Sequence, residues 1–186
     1  MIKSFVLLFV FFSQFPSSFL NVHSFKVDFV QKTESPFFPS IEDRGFLIVD
    51  GCRFRFEYIT NDKRLTIGDC KNIYQINEDD NSTLIFPYSK IKNNPFLSIL
   101  LDRGNLKRNF LIKKIEGKEH YFRLVPLLKS DNMPFTVLKV LLNEKEDRIK
   151  KLELIDETGQ VTVYTFSNFV PDYKANNSLF TVGGKK

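Results

Sequence analysis

The sequence predicts a mainly β protein, built as an antiparallel sheet, sandwich or barrel. Three observations predict it. Short segments alternate apolar and polar residues at the period of a strand with one face buried. Clusters of turn residues separate these segments at regular intervals. Phenylalanine dominates the apolar positions, with 21 Phe, 6 Tyr and no Trp in 186 residues, and no constellation of catalytic side chains breaks the pattern.

The chain opens on a secretion signal. Met1-Ile2-Lys3 is a short positive start, Phe5 to Phe12 is an uninterrupted apolar run, and Ser13, Pro16, Ser17 and Ser18 follow. The run is too short to span a bilayer as a helix. The expected division is a signal peptide over 1–18 and a single domain over 19–186. Roughly 165 residues then remain after export, one domain on the usual length prior and enough to bury a core without staples. A signal left uncleaved would instead act as an inner-membrane anchor. No Cys follows the signal to carry a lipid, so a soluble exported protein is expected. The net charge of +5 is spread among interspersed Lys, Arg, Asp and Glu, which describes a solvated surface rather than a nucleic-acid face.

The elements follow in order. Phe25, Val27 and Phe29 alternate with Lys26, Asp28 and Gln31 as a first strand, and Gly45 to Val49 is a second. From Cys52 to Tyr58, Phe54, Phe56 and Tyr58 take one face and Arg53, Arg55 and Glu57 the other. Thr60-Asn61-Asp62 is turn chemistry, after which Leu65 and Ile67 alternate with Arg64 and Thr66. A turn centred on Asn61 gives hairpin partners that sum to 122, which sets Cys52 opposite Cys70. Opposed Cβ atoms lie about 4.5–5.5 Å apart, slightly beyond the usual disulfide range of about 3.5–4.5 Å. An exported protein makes the bond natural. A slip of one residue would put the two on opposite faces and leave two thiols at strand ends. Asn72 to Asn77 and Thr83 to Phe86 are further strands around the acidic turn Glu78 to Asn81. Asp79 to Thr83 also fits an extended bacterial glycosylation sequon.

Asn94 to Gly104 is the clearest helix, with Asn94 as cap, Pro95 at the first position and Gly104 as stop. It is apolar around most of its girth, so it must cover something. Strands resume at Phe110 to Ile115, Tyr121 to Val125, Phe135 to Leu142, Ile149 to Ile155 and Val161 to Phe166. Their connections are Glu116 to Lys118, Lys129 to Asn132, Asn143 to Asp147 and Glu157 to Gly159. Pro171 to Ser178 is loop, and Leu179 to Val182 is a candidate last edge strand.

This order of elements resembles the LolA family of periplasmic outer-membrane lipoprotein carriers, over roughly Ser24 to Val182. Ser24-Phe25-Lys26-Val27-Asp28-Phe29-Val30-Gln31 is similar to the family's opening Ser-Phe-x-x-x-Phe-x-Gln. Gly45 to Val49 leading into Arg53-Phe54-Arg55-Phe56-Glu57-Tyr58 looks like its Phe-Arg-Trp-x-Tyr strand. Asn94-Pro95-Phe96 through Leu101 stands where the family has a Thr-Pro helix, and Leu124-Val125-Pro126 resembles its Leu-x-Pro. Asp156-Glu157-Thr158-Gly159-Gln160-Val161-Thr162, with Tyr164 and Phe166, completes the match.

The resemblance implies an incomplete, half-open antiparallel β-barrel whose short helices form a lid over an apolar cavity. It implies a monomeric carrier without catalysis or cofactor. Its partners would be triacylated lipoproteins, an inner-membrane lipoprotein-releasing ABC transporter and an outer-membrane lipoprotein receptor of similar fold. The sequence departs from the family in three places. Asp50-Gly51 stands where the family has Arg-Pro, an Arg associated with holding the lid shut; Asp50 inverts the charge, so lid control is expected either to differ or to rest elsewhere, on Arg53 or Arg44. Only Ser17 to His23 is left for the family's longer first helix. The tail ends Leu-Phe-Thr-Val-Gly-Gly-Lys-Lys rather than Phe-x-Pro-x-Gly.

Candidate cavity-wall residues are Phe29, Phe46, Ile48, Phe54, Phe56, Leu65, Ile67, Ile73 and Phe110. Candidate lid residues are Phe96, Leu97, Leu100 and Leu101. Each wall residue also fits an ordinary core. An enzyme is disfavoured: Ser13, Ser82 and Ser98 lack a Gly-x-Ser-x-Gly elbow, and His120 sits between Glu119 and Tyr121 as a rim histidine. Cys52 and Cys70, with His23 and His120 far apart in sequence, cannot build a tetrahedral metal site. A lipid- or lipoprotein-sensing module on the same half-barrel is the alternative function.

Overall fold

The computed structural model describes residues 15–183 apart from 21, 61–62, 81, 94, 102 and 128–134. The apolar leader run, the turn centre Asn61, the sequon's Asn81, the cap Asn94 and the turn at 129–132 lie outside the described residues.

Eleven strands among the described residues form one antiparallel sheet. They are β1 (Ser24–Glu34), β2 (Ile41–Asp50), β3 (Arg53–Tyr58), β4 (Arg64–Asp69), β5 (Asn72–Asn77), β6 (Ser82–Pro87), β7 (Phe110–Lys114), β8 (Tyr121–Pro126), β9 (Val137–Leu142), β10 (Ile149–Ile155) and β11 (Val161–Pro171). Their spatial order is β6-β5-β4-β3-β2-β1-β11-β10-β9-β8-β7. Two meanders therefore meet at β1, which pairs with β2 on one side and β11 on the other. The edges β6 and β7 leave the sheet unclosed. A short helix, α1 (Ser17–Leu20), precedes β1. The chain between the two edges supplies a 3-10 turn (Tyr88–Asn93), α2 (Pro95–Leu101), a second 3-10 turn (Arg103–Asn105) and α3 (Leu106–Asn109).

One face of the sheet carries the main core. Phe25, Val27, Phe29, Leu47, Val49, Phe54, Phe56 and Leu138 are buried there with Phe96, Leu97, Ile99 and Leu100 of α2. Two glycines make this face flat enough for large rings. A Cβ at Gly45 would stand 2.5 Å from the Phe29 ring, and one at Gly68 would stand 2.1 Å from the Phe54 ring. The opposite face has a smaller core of Ile48, Leu65, Ile67 and Phe180, with Phe46, Tyr74 and Leu179 packed against it.

The β3–β4 hairpin has the register its turn implies, with Arg53 opposite Asp69 and Phe56 opposite Thr66, each pair summing to 122. Cys52 and Cys70 are disulfide-bonded with Cα atoms 5.2 Å apart.

Several boundaries differ from the sequence expectation: β1 runs on to Glu34, β2 starts at Ile41 rather than Gly45, and β9 starts at Val137 rather than Phe135. The helix ends at Leu101, short of Gly104, which does not take the left-handed backbone of a helix stop; the chain winds on through Arg103–Asn105 into Leu106–Asn109. The last long strand runs past Phe166 to Pro171. A bulge between Lys26 and Asp28 shifts its register, and Asn168 bends into left-handed backbone (φ 51°) while its amide donates to Asp28 at 2.9 Å. Asn177–Phe180 is a 3-10 turn rather than an edge strand. The Asn176 side chain accepts from Ser178 N and starts that turn, which plants Phe180 on the outer core.

Candidate functional site

The most apolar helix fills the space inside the unclosed sheet. Phe96 and Leu97 are each 9% exposed, Leu100 is 3% and Ile99 is fully buried, while Leu101 packs partly buried against the same cluster. Ile99 is not among the lid residues expected from the sequence; it sits one turn from Phe96 on the helix, so i, i+3 spacing points to it. The Phe96 ring stands 4.7 Å from Tyr164 and 5.8 Å from Phe56, centroid to centroid. Ser98, also fully buried, accepts from the Asn109 amide at 3.2 Å and ties α2 to α3.

The structure sorts the nine wall candidates by face. Phe29, Phe54, Phe56, Ile73 and Phe110 share the main core with α2. Phe46, Ile48 and Ile67 lie on the outer face beneath the C-terminal turn. Leu65 belongs to that outer cluster and also borders an end cavity. The reason is pairing: with partners summing to 122, Ile67 stands beside Arg55 and Leu65 beside Glu57, and cross-strand partners share a face.

Two cavities open at one end of the sheet, on either side of Phe96. The larger, about 500 Å³, is lined by Phe56, Thr66, Gln75, Leu84 and Leu97 among others. The smaller, about 320 Å³, is lined by Gln31, Thr33, Phe135, Leu154 and Thr162 among others. Both are bordered by Tyr58, Arg64, Phe96 and Tyr164. At the far end of α2, the space among Phe25, Leu100, Arg103 and Phe166 is only about 10 Å³, at the limit for one water. A cavity of about 320 Å³ adjoins it, lined by Val27, Arg148, Ile149, Phe166 and Phe169 among others, and between the two ends Phe96, Leu97, Ile99 and Leu100 pack into the main core.

Polar side chains gather where the two cavities meet. The Tyr58 hydroxyl donates to Gln31 Oε1 and lies 3.2 Å from the Tyr164 hydroxyl. The Arg64 guanidinium stands 4.3 Å over the Tyr58 ring and 3.4 Å from the Asp43 carboxylate. Burial raises the Tyr58 pKa, and burial together with the neighbouring Tyr58 raises that of Tyr164 well above the ordinary phenol value. Both are neutral donors.

Arg53 and Arg44 are engaged away from the helix. Arg53 pairs with Asp50 and donates to Asn177, and Arg44 pairs with Glu42 in an exposed position. The arginine at the helix is Arg103, hidden in the sequence because Gly104 beside it suggests a stop. It is 7% exposed. Its Nε donates to Leu100 O (3.3 Å), and Nη1 donates to Phe19 O (3.3 Å) and Val22 O (3.5 Å). The guanidinium also faces the rings of Phe19 and Phe25 at 4.5 and 4.7 Å. Burial lowers its pKa to about 10, so it remains charged at neutral pH.

The family model for the outer membrane lipoprotein carrier protein LolA matches residues 20–183. The chain belongs to the LolA family. An outer-membrane lipoprotein carrier protein of Methylobacillus flagellatus is 27% identical over 128 residues, which is 69% of this chain and 62% of that relative's length. A LolA superfamily protein from Nitrosomonas europaea superposes with a TM-score of 0.51 at 10% identity, over 90% of this chain and 96% of that one. A conserved protein from Thermus thermophilus gives 0.56 at 11% identity, over 89% and 90%. These two likenesses are likenesses of fold. Among the described residues, no helix is long and apolar enough to cross a membrane.

Proposed function

We propose that this LolA-family chain is a non-catalytic periplasmic carrier. It would accept the acyl chains of lipoproteins released by an inner-membrane ABC transporter and deliver them to an outer-membrane receptor. The observation that carries this reading is the placement of α2. An apolar helix occupies the interior of a sheet that does not close, with empty volume on both sides of Phe96. A lid that fills a cavity with its own side chains can be exchanged for fatty tails, and the tails can leave again.

The proposed cavity wall is the inner-face set, Phe29, Phe54, Phe56, Ile73 and Phe110, with Phe96, Leu97, Leu100 and Leu101 as the lid. Export fits the apolar leader, with cleavage upstream of Phe15 rather than after Ser18. Phe15 is 3% exposed and its ring contacts Phe19 and Phe122 at 5.3 and 5.0 Å, so a cut at residue 18 would remove part of the core.

The test is release of lipoprotein from spheroplasts by the purified exported protein. Wild type is expected to release lipoprotein into a soluble one-to-one complex that co-elutes on gel filtration. Replacing Leu97 and Leu100 together with Glu is expected to reduce that release at least tenfold. Unchanged release by the variant removes the lid from the account, and no release by wild type removes the carrier.

A further inference from the structure

The cavities that flank Phe96 are not purely apolar, and their polar groups are concentrated at one place. Tyr58 and Tyr164 are each 8% exposed, and the Tyr58 hydroxyl reaches Gln31 while lying 3.2 Å from that of Tyr164. Hydrocarbon alone gains nothing from such groups, and burying them costs free energy unless they are bonded. In this conformation they form a chain, with Tyr58 donating to Gln31 and standing within reach of the Tyr164 hydroxyl. The ring of Phe96, 4.7 Å from that of Tyr164, sits between the two cavities that these tyrosines border.

We infer that Tyr58, Tyr164, Gln31 and Arg64 form a collar for the ester-bearing neck of an acylated lipid, read at the mouth while its tails run inward. This rests on the carrier reading and names what the mouth recognises in its cargo. The chemistry fits the parts. A phenol is a donor that also packs an apolar ring, and an ester carbonyl is an acceptor only. When Phe96 withdraws with the lid, the Tyr164 proton can turn from the Tyr58 oxygen, and the Tyr58 proton from Gln31, towards the ester carbonyls of a diacylglyceryl group. Both hydroxyls stay protonated because burial opposes their ionisation. Arg64, held over Tyr58 and close to Asp43, adds a charged donor at the solvent side, where the peptide following a lipidated cysteine would emerge. The collar thereby separates two demands, with length of tail handled by the apolar interior and identity of the neck handled at the mouth.

The experiment is a binding titration of the exported protein with three probes of matched chain length. They are a dipalmitoylglyceryl-cysteine peptide, its ether-linked analogue lacking the carbonyls, and dipalmitoyl phosphatidylethanolamine. Wild type is expected to bind the ester peptide about tenfold tighter than the ether analogue. Tyr164→Phe and Tyr58→Phe/Tyr164→Phe are expected to erase that preference by weakening ester binding while leaving the ether analogue unchanged. The ester–ether comparison on wild type stands even where a variant fails to fold. Equal binding of ester and ether by wild type overturns the collar and leaves the carrier intact, whereas failure to bind either peptide overturns both. Phosphatidylethanolamine bound no tighter than the ester peptide supports a lipoprotein neck. Phosphatidylethanolamine bound tighter, with the same loss in Tyr164→Phe, overturns the lipoprotein as the ligand.

Discussion

Arg103 holds together pieces that the backbone leaves apart. Its guanidinium collects carbonyls from the end of α2, from α1 and from the segment after α1; a well-formed hydrogen bond to a charged group contributes about 1.5–3 kcal/mol, and these three, at 3.3–3.5 Å, are each weaker than that. Arg103→Ala is therefore expected to lower stability by about 2–3 kcal/mol in urea unfolding. It should also speed hydrogen exchange in Pro95–Leu101 more than in β1. Arg103→Lys should not restore either, because one ammonium on a flexible stem cannot reproduce the planar fork; full rescue by Lys would show that charge alone matters. A second residue is sensitive to acid. Burial disfavours ionised Glu153, but bonds from Tyr121, Lys151 and Lys139 outweigh that cost and hold its pKa at about 2. A depressed carboxylate contributes stability that is present above its unfolded pKa of about 4.3 and lost as pH falls towards 2. Glu153→Gln should be less stable than wild type at pH 7, with the gap closing by about pH 2. A gap that persists at pH 2 would show that Gln fails for packing reasons. Legibility at this scale has a clear boundary. Alternation locates Phe54, Phe56 and Tyr58 on one face, but it also makes Leu65 and Ile67 look equivalent to them. The hairpin register puts the latter pair on the other side, a consequence already contained in the pairing sum. Arg103 and Tyr164 are harder to see, since their importance comes from chain segments far away in sequence.

The disulfide belongs to the scale of elements. Cys52 and Cys70 are separated by 18 residues and close the open end of the β3–β4 hairpin, joining the turn before β3 to the turn after β4. Closing a loop of that size removes unfolded-chain entropy worth about 3 kcal/mol. Replacing both cysteines with Ser is expected to lower the free energy of unfolding by about that amount, and dithiothreitol should do the same to wild type but nothing further to the variant. A loss well under about 1 kcal/mol would mean that the hairpin is already fixed by its neighbours. Those neighbours include the C-terminal turn, which clamps the outer face. Arg55 and Glu57 form a 2.7 Å ion pair with both side chains 3% exposed, and Arg55 donates onward to Leu179 O at 3.1 Å. The sequence shows Arg55 and Glu57 on the polar side of β3 and carries no sign that a cover buries them. The strands and the main helix are legible because their apolar periods are local. The extension of β11 and the final turn are not, because a bulge and a side-chain cap decide them.

On the proposed carrier reading, the governing quantity for the whole molecule is the balance between α2 as lid and the cargo. Moving Phe96, Leu97, Ile99 and Leu100 out of the interior forfeits about 1.5–3 kcal/mol for each side chain, or about 6–12 kcal/mol gross. One acyl chain of about 14 methylenes gains near 11 kcal/mol when fully buried, at about 0.8 kcal/mol per methylene. Displacing the helix thus offsets about one buried chain, which weakens the grip on a lipid that carries several. A rigid empty hollow would keep the full gain and not let go, whereas an interior filled by strands alone would never open. The empty protein should accordingly keep its lid shut, since opening without cargo costs several kcal/mol. Amide exchange measures this directly. In the free protein Pro95–Leu101 should exchange slowly, within about tenfold of the buried strand β1. With a diacylglyceryl lipopeptide bound, the same helix should exchange more than about tenfold faster while β1 is unchanged or slower, since the chains now fill the place the helix gave up. If the helix stays equally protected with lipid bound, the tails must enter elsewhere. Binding in the cavities beside Phe96 would then be limited to what about 500 and 320 Å³ can hold.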